Sequence, residues 1–221
     1  MTERTEEEEY RAIYNFLMEV KCPLEMVSGE YLDEFYGPLL PKGHLGVFRK
    51  ELPESNIWLP SVKTAIKRIR RLNLHDLATK HLPFSFYPFS NLEELSFNSS
   101  DFGSLSIDWS VLPKLRYLDL SNLQWLLYFP KLDGLKNLEV LALRFLNSDL
   151  NGFSDDVFSG LTNLRVLDLR HSRLHNLFFF ESLRGLKKLE YVDLRSSRHP
   201  KNLPTLHCKV LTGKDRVRNS F

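Results

Sequence analysis

Residues 161–177 read LTNLRVLDLRHSRLHNL, and the spacing of the leucines in this stretch decides the fold. Leu164, Leu167 and Leu169 stand at positions 1, 4 and 6 of an L-x-x-L-x-L core, with Leu174 at position 11 and Leu161 three residues ahead. The same core can be laid over Ile69 (IRRLNL), Leu92 (LEELSF), Leu115 (LRYLDL), Leu138 (LEVLAL) and Leu189 (LEYVDL), in steps of 23, 23, 23, 26 and 25 residues. Three residues before each start stand Ile66, Phe89, Leu112, Leu135, Leu161 and Leu186. A third apolar column lies six before, at Phe86, Trp109, Leu132, Phe158 and Leu183.

Columns kept in register over six copies are what a stacked solenoid needs, because one repeat alone cannot bury its apolar face. The region from Ile66 to Leu194 resembles the leucine-rich repeat superfamily, of the intracellular type. That resemblance implies an α/β solenoid of about six repeats of 23–26 residues with a parallel concave sheet, and a protein-interaction scaffold as its use. The expected division is a helical N-terminal cap over 1–61, the solenoid over 62–199, and a C-terminal cap with a basic tail over 200–221.

Thr5-Glu6-Glu7-Glu8 has the pattern of a capping box, with the acidic run at the positive end of a helix dipole. Tyr10, Ile13, Tyr14, Leu17 and Val20 follow at helical spacing and Pro23 ends the pattern. Glycines and prolines interrupt 24–60, with a short helix expected around Glu30 to Tyr36 and another over Val62 to Arg68, capped by Ser61. At the other end, Leu206, Cys208 and Val210 alternate with polar residues and predict a last edge strand; from Thr212 onward the chain reads as a frayed tail.

Within each repeat, positions 2 to 6 predict a strand whose leucines face the core while the residues between them face the concave side. Many families place a loop-bonding asparagine at position 9. This chain has Leu77, Ser100, Leu123, Leu146, Ser172 and Ser197 there, so apolar packing or serine hydroxyls are expected to replace it. On the concave face, position 3 shows Tyr117 and Tyr191, position 5 shows Asp119, Asp168 and Asp193, position 7 shows Arg144, Arg170 and Arg195, and position 8 shows Phe145 and His171. Arginines beside exposed aromatic groups are enriched at protein interfaces, so these ten residues are the candidate partner-binding set. The plainer alternative is that the Asp and Arg columns form surface ion pairs that only solvate the sheet, each contributing about 0–1 kcal/mol.

The sequence gives no reason to expect an enzyme, a metal or a cofactor. No G-x-S-x-G, glycine-rich phosphate loop, H-E-x-x-H or paired C-x-x-C occurs, and His171 and His175 do not share a helical face. Only Cys22 and Cys208 are present, without the disulfide clusters that cap extracellular relatives of the resembled superfamily; a cytoplasmic or nuclear site is expected. The apolar runs are far shorter than the roughly 20 residues of a spanning helix, and the mean hydropathy of -0.27 agrees. Lys63, Lys67, Arg68, Arg70 and Arg71 form a basic run that suggests an RNA-binding solenoid as an alternative. The balance of 30 basic against 28 acidic residues, with no aromatic interleaved, disfavours nucleic acid. A helical N-terminus ahead of repeats is also similar to ZYG-11-like substrate receptors of cullin ubiquitin ligases. That resemblance implies a place as a complex subunit contacting elongin through Met18, Cys22 and Met26.

Overall fold

The computed structural model describes residues 5–19, 66–67, 69–74, 76–78, 80–82, 85–146, 156–174 and 177–213. Seven three-residue strands build one parallel sheet in chain order: β1 Arg71–Asn73, β2 Glu94–Ser96, β3 Tyr117–Asp119, β4 Val140–Ala142, β5 Val166–Asp168, β6 Tyr191–Asp193 and β7 Lys209–Leu211. Strands this short form because each copy of the repeat supplies one core-facing position between two that face the other side before the chain turns away. The pairing register is the register of the repeat: Leu72, Leu95, Leu118, Leu141, Leu167, Val192 and Val210 stand side by side across the sheet. The expected closing strand is present as β7, with Leu206, Cys208 and Val210 packed against the core.

All five apolar columns named from the sequence are buried in one continuous core, from Ile66 and Phe86 in the first repeats to Leu186 and Leu194 in the last. Aromatic side chains fill part of this core: Phe97 meets Phe86 and Phe102 edge-on at centroid distances of 5.9 and 5.3 Å. Edge-on pairs of this kind stabilise beyond the area they bury. Between β3 and β4 the return path crosses close behind the previous repeat. Gly134 takes a φ of +96° there, and a Cβ would lie 2.9 Å from the Ser110 amide nitrogen.

The buried loop backbone is satisfied by serine. The Oγ atoms of Ser100 and Ser172 donate to the carbonyls of Leu74 and Leu143 in the preceding repeats, at 2.7 and 3.1 Å. They accept from the amides of Leu77 and Leu146, both at 3.0 Å. Ser197 bridges Leu169 and Ser172 in the same way. Where position 9 is apolar, Leu123 and Leu146 are buried instead, so both expected substitutes for the asparagine are present. A different set of asparagines also operates: immediately before three of the six starts, Asn91, Asn137 and Asn163 donate to the carbonyls of Lys67, Pro113 and Lys136 one repeat back.

Helix α1 spans Glu6–Glu19 and starts at the expected capping box, with the Thr5 amide donating to Glu8 and the Glu8 amide to Thr5 Oγ1. Its Tyr10 and Ile13 enter the core of the first repeats, and the carboxylate of Glu9 accepts from the Ser85 amide. Burial, with Tyr87 and Glu6 nearby, pushes the Tyr10 phenol up to about 12. The second helix, α2, spans Leu177–Ser182 on the return path of the fifth repeat. Pro23, the helix expected around Glu30 to Tyr36, most of that over Val62 to Arg68, the Cys22 and Met26 positions, and the tail beyond Gly213 lie outside the described residues.

Two outcomes are expected from this packing. Ser172→Ala removes both bonds that hold the loop of Leu146 and should cost about 1–3 kcal/mol in urea unfolding, because a buried amide loses its acceptor. Ser110→Ala, at an exposed position, should stay within about 0.5 kcal/mol. For Tyr10, the folded value lies above the unfolded one. Its contribution to stability is therefore fully present below about pH 10 and lost as the pH rises through about 12, measurable as loss of α1 docking in alkaline unfolding scans.

Candidate functional site

The concave face is a ladder of alternating charge. Each carboxylate at position 5 first accepts from the amide two residues on: Ser121 to Asp119 at 2.8 Å, Arg170 to Asp168 and Arg195 to Asp193 at 3.1 Å. That local turn fixes the carboxylates, and the guanidinium groups then bridge them. Arg170 holds Asp168 with Nε at 2.9 Å and Nη2 at 2.6 Å, and Arg195 holds Asp193 at the same two distances. Arg144 reaches Asp119 at 3.1 Å and Asp168 at 3.9 Å, and Arg170 reaches Asp193 at 3.7 Å. Six side chains from four repeats thus form one chain of pairs. Hydrogen bonding to Asp193 raises the Arg195 guanidinium, against burial.

Several candidate residues are not where a surface reading puts them. Asp119, Asp168 and Asp193 are buried, so the expected pairs exist but are not surface pairs. Tyr117, expected to be exposed, is buried with Val140 and Val166 in a second apolar cluster on this side of the sheet, against which half-buried Tyr191 packs. The reason is the spacing of parallel strands: side chains about 5 Å apart in adjacent repeats cover one another, and large ones close the face completely. Arg144, Arg170 and Arg195 keep only 14%, 15% and 24% of their side-chain surface.

Position 8 is displaced as well. In all six repeats it lies in a left-handed turn beyond the strand, at φ of 54° to 60°: Asp76, Ser99, Asn122, Phe145, His171 and Ser196. Asp, Asn and His tolerate this conformation better than most; a bulky residue such as Phe is an outlier there. Phe145 is nevertheless 56% exposed and stacks on His171 at 4.9 Å with the rings 10° apart. Of the ten candidates, Phe145 and His171 are the two on open surface.

Sequence reading missed three exposed neighbours on the loop leaving β3. Position 11 is buried at Phe102 and Leu174, but at Trp125 the chain turns out and Leu126 takes the inner place. Trp125, Leu127 and Tyr128 are 66%, 65% and 61% exposed. The signal was the apolar run from Gln124 to Pro130, which is longer than one inward position can absorb. A second missed column is position 2, where Arg70, Glu93, Arg116, Glu139, Arg165 and Glu190 alternate in sign. Arg116 meets Glu139 at 2.7 Å and Arg165 meets Glu190 at 2.8 Å. Arg116, Glu139 and Arg165, with Asn137 and Lys114, line a polar groove on the opposite edge of the sheet. In the basic run near the first repeat, Arg70 and Arg71 are taken up by Glu93 and Glu94 at 3.2 and 3.0 Å, while Lys63, Arg68, His75 and His175 lie outside the described residues. Among the described residues no group of three His, Cys, Asp or Glu side chains could hold a metal ion, and no helix is long and apolar enough to cross a membrane.

No model of a known protein family matches the chain, and no curated protein matches it. Among solved structures it is similar to the TLR13–ssRNA13 complex at 22% identity and a TM-score of 0.41, over 69% of this chain and 27% of that one. It is also similar to an internalin, InlF, of Listeria monocytogenes str. 4b F2365, at 17% identity and 0.39, over 63% and 45% of the two chains. Internalin C2 of the same strain gives 20% identity and 0.33, over 68% and 83%. The chain thus spans less than half the length of the first two. At these scores the likeness says nothing of partners. The class rests on seven in-register parallel strands over one leucine core: this is a leucine-rich repeat solenoid.

The ladder makes a direct prediction. Asp168→Ala takes from Arg170 its closest carboxylate, leaving it Asp193 at 3.7 Å, and should cost about 1.5–3 kcal/mol in chemical unfolding, the worth of hydrogen bonds to a charged group. Arg165→Ala, in the more open ladder on the far edge, should cost about 1 kcal/mol or less.

Proposed function

We propose that the chain is a non-catalytic interaction scaffold that works inside the cell, binding a protein partner along the edge where the loops leave the C-terminal ends of β3 to β6. Phe145 carries the reading. A left-handed backbone costs a bulky residue of order 1–3 kcal/mol, yet this one is held there with its ring open to solvent and stacked on His171. Asparagine would sit in that turn at less cost, and a solvated surface gains nothing from phenylalanine. Trp125, Leu127 and Tyr128 on the preceding repeat extend the exposed apolar surface, and Arg144 and Arg170 flank it. Aromatic groups beside arginine are the composition of interface hot spots. The paired Asp and Arg ladder beneath serves as the rigid floor.

The test separates stability from binding. Phe145→Asn should leave unfolding stability unchanged or raise it by up to about 1 kcal/mol, since asparagine accepts the turn. Combined with Trp125→Ser it should abolish retention of the proteins that the native chain captures from its own cells, read by quantitative mass spectrometry. Retention of the same proteins by a folded double variant overturns the reading.

A further inference from the structure

Two consecutive turns at the C-terminal end of the rim share one pattern. Arg170-His171-Ser172-Arg173 and Arg195-Ser196-Ser197-Arg198 each place arginine at positions 7 and 10, with no carboxylate between them. The two arginines of each turn do different things. Arg170 and Arg195 fold inward onto Asp168 and Asp193, whereas Arg173 and Arg198 are exposed. A parallel bridge aligns Arg173 with Arg198, so the two residues stand on adjacent repeats with their backbones about 5 Å apart along the stack. Among the described residues neither has a carboxylate partner. His171 sits in the same turn as Arg173, stacked on Phe145. Exposed Lys201 follows Arg198 in the chain.

We infer that this corner of the rim binds an acidic peptide segment of the protein partner, with Arg173 and Arg198 taking its carboxylates and the Phe145–His171 stack taking an aromatic or aliphatic side chain beside them. The inference rests on the protein-binding reading above and names the class of partner. Charge complementarity selects the occupant: two exposed arginines on neighbouring repeats, without a carboxylate partner among the described residues, attract an anion that both can reach. The fork of each guanidinium matches a carboxylate. A nucleic acid is the weaker fit. Its backbone needs a tract of free cations, and the neighbouring Arg144, Arg170 and Arg195 are already neutralised by buried carboxylates.

A display library of short random peptides, panned on the full chain, tests this. The enriched peptides should be rich in Asp and Glu around an aromatic or aliphatic residue. As labelled synthetic peptides they should bind about tenfold more weakly to R173E/R198E, lose affinity with salt, and bind unchanged to K131E/K136E, a charge-matched control away from the rim. Should the reversal perturb the circular dichroism spectrum, R173Q/R198Q replaces it. Enriched peptides without acidic bias, equal binding to either arginine variant, displacement of the peptides by oligouridine RNA, or no enrichment at all each overturn the inference. Peptides that bind the arginine variants fully but lose binding to W125S/F145N overturn it while leaving the protein-binding reading intact; that reading fails only with the capture experiment.

Discussion

Every element of this molecule depends on the in-register stacking of strands only three residues long. One such strand makes too few hydrogen bonds and buries too little surface to persist; seven side by side enclose a single leucine and phenylalanine core. Stacking also brings the buried loop backbone of each repeat within reach of the next. Serine hydroxyls at position 9 and asparagine amides before three of the starts then complete hydrogen bonds that no repeat satisfies by itself. The core and its polar seams are one device, repeated.

The same spacing governs the concave side. Alternating Asp and Arg columns at about 5 Å have no choice but to meet, and a carboxylate already fixed by its own turn amide offers arginine a preset acceptor. The result is a neutral, covered floor, not an open charged groove. The exposed aromatic and basic side chains lie further out, on the loops, where the register of the sheet no longer dictates which way a side chain points.

There the structure departs from economy. The left-handed turn at position 8 accepts Asp, Ser, Asn and His at modest cost, and Phe145 breaks that pattern. The loop after β3 breaks another by burying Leu126 and turning Trp125 into solvent. Both departures, and the exposed arginines of the two matching turns, fall along one edge of the solenoid.

The fold was legible in the sequence because it is periodic: buried columns recur at fixed offsets, so Leu167 and Leu141 could be placed without coordinates, as could the serine substitutes at position 9. The capping box at Thr5 and Glu8 was legible for the same reason, being local. Exposure was not. Whether Tyr117 faces solvent depends on Val140 and Val166 lying against it, and whether Asp168 is available depends on Arg144 and Arg170 from two repeats. Period alone assigns a face to a residue. Only the packing of neighbouring copies decides whether that face is open, and only the tertiary turn decides that Arg170 folds in while Arg173 stays out.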